Sequence, residues 1–327
     1  MKPIAKWFAS VCCAVSLFAS KTALPADSLK KVRVAFPSIV IDFAPLWIAR
    51  EKGFFREEGI DAEITYIQGG TRVVQALVSG DVNFGMGTAT GAVTARAAGE
   101  GIITVAVPMN RLDYAFVSRQ PISRPADLNG KKVGVAGVGG ADNFANRIAL
   151  EKLGVNPASV TTLAVGSSAD RLAALRAGAV DAAIIGGGTF IGSGTGLHKL
   201  VDLTDLGIEF PMTGIFTANK YAVANRESVF GFIRGYTRGV RFFQERKGEA
   251  IAIAARNLRT SNTDLIERQW QYAKSYMFEK IPYPTEKGFK LVFELLAPRV
   301  PKVSGLRFED VCDTSFVKGL ADKGFFK

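Results

Sequence analysis

The stretch Ala76-Leu77-Val78-Ser79-Gly80-Asp81-Val82-Asn83 returns 98 positions later as Ala174-Leu175-Arg176-Ala177-Gly178-Ala179-Val180-Asp181. Each copy is preceded by a strand-like run and small residues: Ile64 to Ile67 then Gly69-Gly70, and Thr161 to Val165 then Ser167-Ser168. A Gly-bounded strand follows each copy, so the repeated unit is strand, helix, strand. A period of about 100 residues is too long for a solenoid repeat and suits two similar α/β lobes. Two lobes make a cleft, and the cleft is where function is to be sought.

Residues 1–26 read as a secretory signal, which places the remaining chain in the periplasm. Lys2 and Lys6 precede an uncharged run from Trp7 to Ser20, and Lys21 and Thr22-Ala23-Leu24-Pro25-Ala26 follow it. The run is shorter than the roughly 20 apolar residues that a membrane span needs. Cys12 and Cys13 fall inside it, and Val11 stands where a lipoprotein requires a small residue. Only Cys312 then remains, which rules out an internal disulfide. The formal net charge is +11, and its placement matters more than its size. Residues 27–118 sum to −1, residues 119–219 to +1 and residues 220–327 to +8. A cleft between two nearly neutral repeats is no basic trench, and nucleic acid is not an expected partner.

Along the chain, strands are expected at 32–36, 61–67, 82–86 and 102–107, with helices beginning near Leu46 and covering 71–79 and 88–98. Phe54-Phe55, between Gly53 and Gly59, reads as packing surface. Pro121, Pro125 and the turn Asp127-Leu128-Asn129-Gly130 mark a break. The pattern then restarts with strands at 132–136, 161–165 and 182–185 and helices at 141–153 and 169–177. Such alternation implies a parallel-type sheet covered on both faces. From Arg226 the character changes to amphipathic helices near 226–246, 249–258, 264–277 and 285–296. In the first of these, Val229, Ile233, Tyr236 and Val240 form an apolar stripe, with Arg234, Arg238 and Arg241 largely off it. Those arginines are either a basic face for an anionic surface or the solvated side of a helix packed on the first lobe, the commoner arrangement.

One histidine, His198, serves the whole chain, and no G-x-S-x-G elbow accompanies it. Zinc sites draw on several His or Cys ligands, and no D-x-D-x-D-G calcium loop occurs, so no metal is expected. The loop Gly134 to Gly140 sits between a strand and a helix, but a G-x-G-x-x-G frame starting at Gly137 would place its third glycine on Asp142, and one starting at Gly134 puts Ala136 at the second. Walker A is absent as well, so no cofactor is expected. What such loops can do is present backbone N–H groups at helix N-termini. Gly69-Gly70-Thr71, Thr88 and Gly139-Gly140-Ala141 each open a helix. Their N–H groups and the helix dipole can hold a sulfonate, carboxylate, nitrate or heterocycle acceptor, or can serve as ordinary caps. Carboxyl ends of strands in open α/β sheets converge on ligand crevices, which favours the first use.

The residues Pro45-Leu46-Trp47-Ile48-Ala49-Arg50-Glu51-Lys52-Gly53-Phe54-Phe55 with Gly59-Ile60-Asp61-Ala62-Glu63 resemble the opening helix and second strand of a known family. It is that of the substrate-binding proteins of bacterial ABC importers of the nitrate/taurine/sulfonate type, which also includes thiamine-pyrimidine-precursor binders. Gly69 to Gly87 is similar to that family's repeat stretch, with Asn83 where Asp is common. Asp127 to Val135 and Ala149 to Val155 extend the resemblance into the second lobe.

The resemblance implies an α/β, type II periplasmic binding fold of two lobes joined by a two-segment hinge. Lobe one would take residues 27–115 and 217–327 and lobe two residues 116–216, with Tyr114 to Ser118 and Thr213 to Ala218 as the crossings. It implies a ligand between the lobes, touched by Ser38 and Phe43, by Gly70 and Thr71, and by Thr88. From lobe two, Gly139, Gly140 and Asp142 would approach, together with Gly187, Thr189 and Thr213. Arg111, just before the hinge, is the basic side chain chosen as anion partner, the alternative being a surface residue paired with Asp113. Phe43 and Phe190 are the aromatic candidates. The expected partners are a small solute and a membrane permease, and the expected state is a monomer. A small organic anion is the first choice of ligand and a planar heteroaromatic the second; a sensory receptor is a variant of the same role. The family's pyrimidine-forming enzymes are cytosolic and use a suicide histidine with a cysteine-rich metal motif. This chain lacks that motif and carries an export signal, so an enzyme is not expected.

Overall fold

Asn83 and Asp181 close the two copies of the repeat, and they do the same structural work. Asn83 Oδ1 accepts from the backbone N–H of Arg33 at 2.9 Å, and Asp181 Oδ2 accepts from that of Lys132 at 2.9 Å. Both bonds pin the incoming strand to the parallel strand beside it, at Arg33 and at Lys132, and both use only an acceptor oxygen, which is why an amide serves where the other copy has a carboxylate. Gly80 and Gly178 end the two repeat helices with φ of 83° and 74°, a left-handed cap that glycine adopts without strain. Leu77 and Leu175 are buried beneath them.

The computed structural model describes residues 29–122, 124–137, 140–191, 194, 196–276 and 278–327. The segment read as an export signal lies outside these residues, as does Gly139. The first part of the chain runs β1 (Lys30–Phe36), α1 (Ala44–Glu51), β2 (Ile60–Tyr66), α2 (Gly70–Ser79), β3 (Phe84–Gly87), α3 (Ala89–Ala97) and β4 (Ile102–Met109). The second runs β5 (Tyr114–Ser118), β6 (Lys132–Val135), α4 (Ala141–Lys152), β7 (Thr161–Ala164), α5 (Ser168–Ala177), β8 (Ala182–Gly186), α6 (Gly187–Ile191) and β9 (His198–Asp202). The last runs β10 (Thr213–Ala218), α7 (Asn219–Ala224), α8 (Arg226–Glu245), α9 (Lys247–Leu258), α10 (Thr263–Tyr276), α11 (Glu286–Leu296), α12 (Phe308–Val311) and α13 (Ser315–Asp322).

The strands form two five-stranded sheets of matching topology, β2-β1-β3-β10-β4 and β7-β6-β8-β5-β9. In each, the first three are parallel, as the alternation of strands and helices predicts. The fourth strand is antiparallel to both neighbours, so the sheets are mixed. That strand is the first one the chain lays down after passing from one sheet to the other. Tyr114–Ser118 and Thr213–Ala218 therefore are not bare crossings, because both find strand partners. The connections run just before them, at 110–113 and 203–212.

The first sheet packs on α1, α8, α9, α10 and α13 through a core that includes Trp47, Phe55, Phe84, Phe232, Phe243 and Trp270. A second core runs from the other face of that sheet, past Leu112 and Phe210 in the connections, to Phe116 and Phe144 of the second lobe. Helix α8 lies close against α1 and the segment Phe54 to Ile60 that follows it, because Gly231, Gly235 and Gly239 recur every fourth residue. A Cβ on Gly235 would stand 2.6 Å from the Phe55 ring, and one on Gly239 would strike the Pro45 carbonyl. The arginines beside this stripe are engaged locally. Arg234 pairs with Glu58 at 2.6 Å, Arg238 with Glu57 at 2.7 Å, and Arg241 donates to the Phe325 carbonyl at 2.7 Å. Of the two readings, the helix packed on the first lobe is the one seen.

Candidate functional site

Between the two sheets lies a cleft of about 1390 Å³, entered by the loops that follow the strands. After β1, Pro37 ends the strand and the chain passes through Ser38 and Ile39 into a tight turn at Ile41–Phe43. Ile39 is 41% exposed and Asp42 is partly buried, both on the cleft wall. At the end of β2, Tyr66 is 44% exposed, with its ring 5.8 Å from the Phe36 ring. Val78 adds a further exposed apolar surface, so the entrance on the first-lobe side is apolar.

Gly69 then enters α2 with φ 89° and ψ 135°, a combination that a residue with a Cβ adopts only under strain. No side chain caps α2. The repeat makes the contrast clear, since Ser167 and Asp170 stand in α5 where Gly69 and Arg72 stand in α2. There Ser167 Oγ accepts from the Asp170 N–H at 3.2 Å, and the Asp170 carboxylate accepts from the Ser167 N–H at 2.8 Å. The second copy thus satisfies its own helix end, whereas no side chain accepts from the first turn of α2, which borders the cleft. Helices α3 and α4 also begin without a side-chain cap, at Thr88 and Gly140.

Arg171 organises the second-lobe wall. Its guanidinium donates to Asp142 Oδ2 at 3.1 Å, to the Gly166 carbonyl at 2.8 Å and to Ser168 Oγ at 2.9 Å. Ser168 Oγ in turn accepts from the Gly186 N–H at 3.2 Å, and Asp142 accepts from the Ala136 N–H. One side chain thereby ties together the loops that follow β6 and β7 and, through Ser168, the end of β8. Burial pulls the Arg171 pKa down, and Asp142 opposes that pull.

Two carboxyls face the cleft from its base. Asp42 is pushed up to about 8, by burial first and then by the charge of Asp113. Asp113 is pushed up to about 6, again chiefly by burial, with the Tyr272 hydroxyl working against the rise and Asp202 adding to it. Asp42 is therefore a hydrogen-bond donor at neutral pH as well as an acceptor. Among the described residues, no group of three His, Cys, Asp or Glu side chains is placed to hold a metal ion.

Of the residues chosen from sequence, Ser38, Gly70, Thr71, Thr88, Gly140, Asp142 and Thr189 line this cleft. Four do not. Phe43 is 3% exposed and packs 5.3 Å from Phe36 in the core, since an aromatic ring beside a strand end gains more from burial than from the cleft. Arg111 is exposed on the first connection, away from the cleft lining. Gly187 is buried behind the wall against Tyr272 and Asp113, and Thr213 is buried where β10 pairs with Met109. Sequence reasoning passed over Ile39, Asp42, Tyr66, Asp113 and Arg171. The repeat held a signal for the last, because Arg171 occupies the position where the first copy has the buried Val73.

The model of the NMT1/THI5-like family matches residues 40–250, well over half of the chain. The chain belongs to the NMT1/THI5-like family. Among curated relatives, this NMT1/THI5-like chain is 26% identical over 280 residues to the formylaminopyrimidine-binding protein of Halalkalibacterium halodurans, covering 81% of this chain and 82% of that one. Among solved structures, it resembles the periplasmic nitrate-binding protein NrtA of Synechocystis PCC 6803, with a TM-score of 0.73 and 15% identity over 90% of this chain and 89% of that one. It also resembles the periplasmic aliphatic sulphonate-binding protein SsuA of Escherichia coli, with a TM-score of 0.68 and 19% identity over 82% and 86%. These likenesses show that the NMT1/THI5-like chain has the two-lobed α/β fold of periplasmic binding proteins.

Proposed function

We propose that this chain is the solute-binding component of an ABC-type importer, acting in the periplasm as a receptor and delivering its solute to a membrane permease. The observation that carries the reading is the uncapped start of α2 at Gly69-Gly70-Thr71, open to an interlobe cleft walled by Ile39, Tyr66 and Val78. Free N–H groups and the positive end of the helix dipole suit an anionic head group, worth about 0.3–1 kcal/mol from the dipole alone at an exposed site. The apolar wall suits a carbon body. A small organic anion such as a sulfonate or carboxylate answers both. Closure would follow from contacts that the solute makes with both lobes at once.

A second ligand class has its own support. The carboxyls of Asp42 and Asp113 offer acceptors, and Asp42 a donor, to the N–H and ring nitrogen groups of a planar heteroaromatic. A named relative binds a formylaminopyrimidine.

Mass spectrometry of the solute retained by natively purified protein tests the reading, followed by thermal-shift titration with sulfonates, carboxylates, nitrate and pyrimidines. A retained solute that raises the melting temperature without being converted supports the receptor role. No retained solute and no shift across all of these classes would sink it.

A further inference from the structure

Helix α10 belongs by its packing to the first lobe. Ile266, Trp270 and Ala273 are buried in the first core, and Trp270 Nε1 donates to the Phe243 carbonyl of α8 at 2.6 Å. Its other side reaches the second lobe and both connections. The Tyr272 hydroxyl donates to the carboxylate of Asp113 on the first connection and lies 3.0 Å from Thr204 Oγ1 on the second. Three residues earlier, and so on the same helix face, Gln269 Nε2 donates to the Gly188 carbonyl of α6 at 2.9 Å.

The approach depends on missing side chains. A Cβ on Gly187 would collide with the Tyr272 hydroxyl and with Asp113, and one on Gly188 would stand 3.1 Å from Ile41 Cγ2. Asp113 also lines the cleft, so one carboxyl touches the solute space, a connection between the lobes and α10. Two connecting segments alone leave the lobes free to swing as rigid bodies. A third contact, carried by a helix of the first lobe onto a helix of the second, resists that swing.

We propose that α10 is an interlobe latch in which Tyr272 and Gln269 hold the two lobes together in the absence of any solute. The ligand-free protein then already populates the closed arrangement. On the receptor reading above, on which this consequence rests, the latch would raise solute affinity, because apparent affinity scales with the fraction of protein in the competent state. Loss of all three hydrogen bonds should shift the open-to-closed ratio by at least about tenfold, since one to two ordinary hydrogen bonds already have that effect.

Small-angle X-ray scattering on protein freed of retained solute by unfolding and refolding tests the latch, comparing the unaltered chain with Gln269→Ala and with Tyr272→Phe/Gln269→Ala. Gln269 is only partly buried, so its variant carries no folding risk of its own, and cooperative thermal unfolding confirms the state of each sample. A larger radius of gyration for Gln269→Ala, and a larger one still for the double variant, is the expected result. Superimposable profiles for all three proteins would overturn the proposal. No solute enters this measurement, so its failure leaves the receptor reading standing, and failure of every solute to bind leaves the scattering result standing.

Discussion

Arg171 of α5 and Asp142 of α4 form an ion pair at 3.1 Å in which the two side chains are 3% and 6% exposed. Removing one partner of such a pair leaves a buried charge without compensation, which costs about 3–5 kcal/mol. Arg171→Met should therefore lower unfolding stability in urea by about that amount and loosen the loops after β6 and β7 that the guanidinium ties together. Asp142→Leu should be similarly harmful alone. The double variant Arg171→Met/Asp142→Leu should recover much of the loss, because no isolated charge remains. A double-mutant cycle that comes out additive would show the pair to be uncoupled.

The acidic pair at the base of the cleft predicts a pH dependence of stability. Unfolded aspartates titrate near 3.8, whereas Asp113 is raised to about 6 and Asp42 to about 8 in the folded protein. The folded state holds these protons more tightly. Its associated stability is fully present below about pH 4 and is lost as pH rises through the two folded values. Asp42→Asn keeps the position neutral at every pH. Its melting temperature should lie close to that of the unaltered protein in acid and exceed it increasingly up to about pH 9. Parallel melting curves across that range would count against the buried-acid assignment.

Arg111's place before the hinge suggests an anion partner, and its exposure argues otherwise. It lies outside the cleft lining, so Arg111→Ala should leave solute affinity within about twofold, in keeping with the 0–1 kcal/mol worth of exposed charge pairs. Isothermal titration with the retained solute checks this. A loss of tenfold or more would return Arg111 to the site.

How far the sequence carries depends on the range of the interaction concerned. The strand, helix and strand of each repeat are legible because their apolar periods are local, and Asn83 and Asp181 mark the same pinning bond in both copies. The direction of β5 and β10 is not, since a strand's own pattern does not say which neighbour it will meet. Phe43 and Asp42 are adjacent in the chain, yet the turn at Ile41–Phe43 sends the ring into the core and leaves the carboxyl on the cleft wall. The bond from Tyr272 to Asp113 spans 159 positions and leaves no trace in either segment. Arg171 stands between these cases. An arginine aligned with the buried Val73 was visible by comparing the copies, but its partners come from separate loops.

Gly69 and Gly70 are neighbours at the start of α2 with different backbone requirements. At Gly69, φ is 89° with ψ 135°, so any Cβ strains the backbone although no atom lies within 4 Å of where it would stand. At Gly70 the helical backbone tolerates a side chain, and the space around its Cβ is equally open. Gly69→Ala should therefore cost about 1–3 kcal/mol of stability and shift the first-turn N–H groups of α2. Gly70→Ala should be neutral or slightly stabilising, by up to about 1 kcal/mol, because it restricts the unfolded chain. Since both glycines line the cleft, the alanine at position 70 would also intrude on the solute space. Gly70→Ala should thus weaken solute binding without loss of stability, whereas Gly69→Ala should lose both. Urea unfolding and calorimetric titration on the two variants separate the effects, and a destabilised Gly70→Ala with unchanged affinity would contradict this account of the α2 entrance.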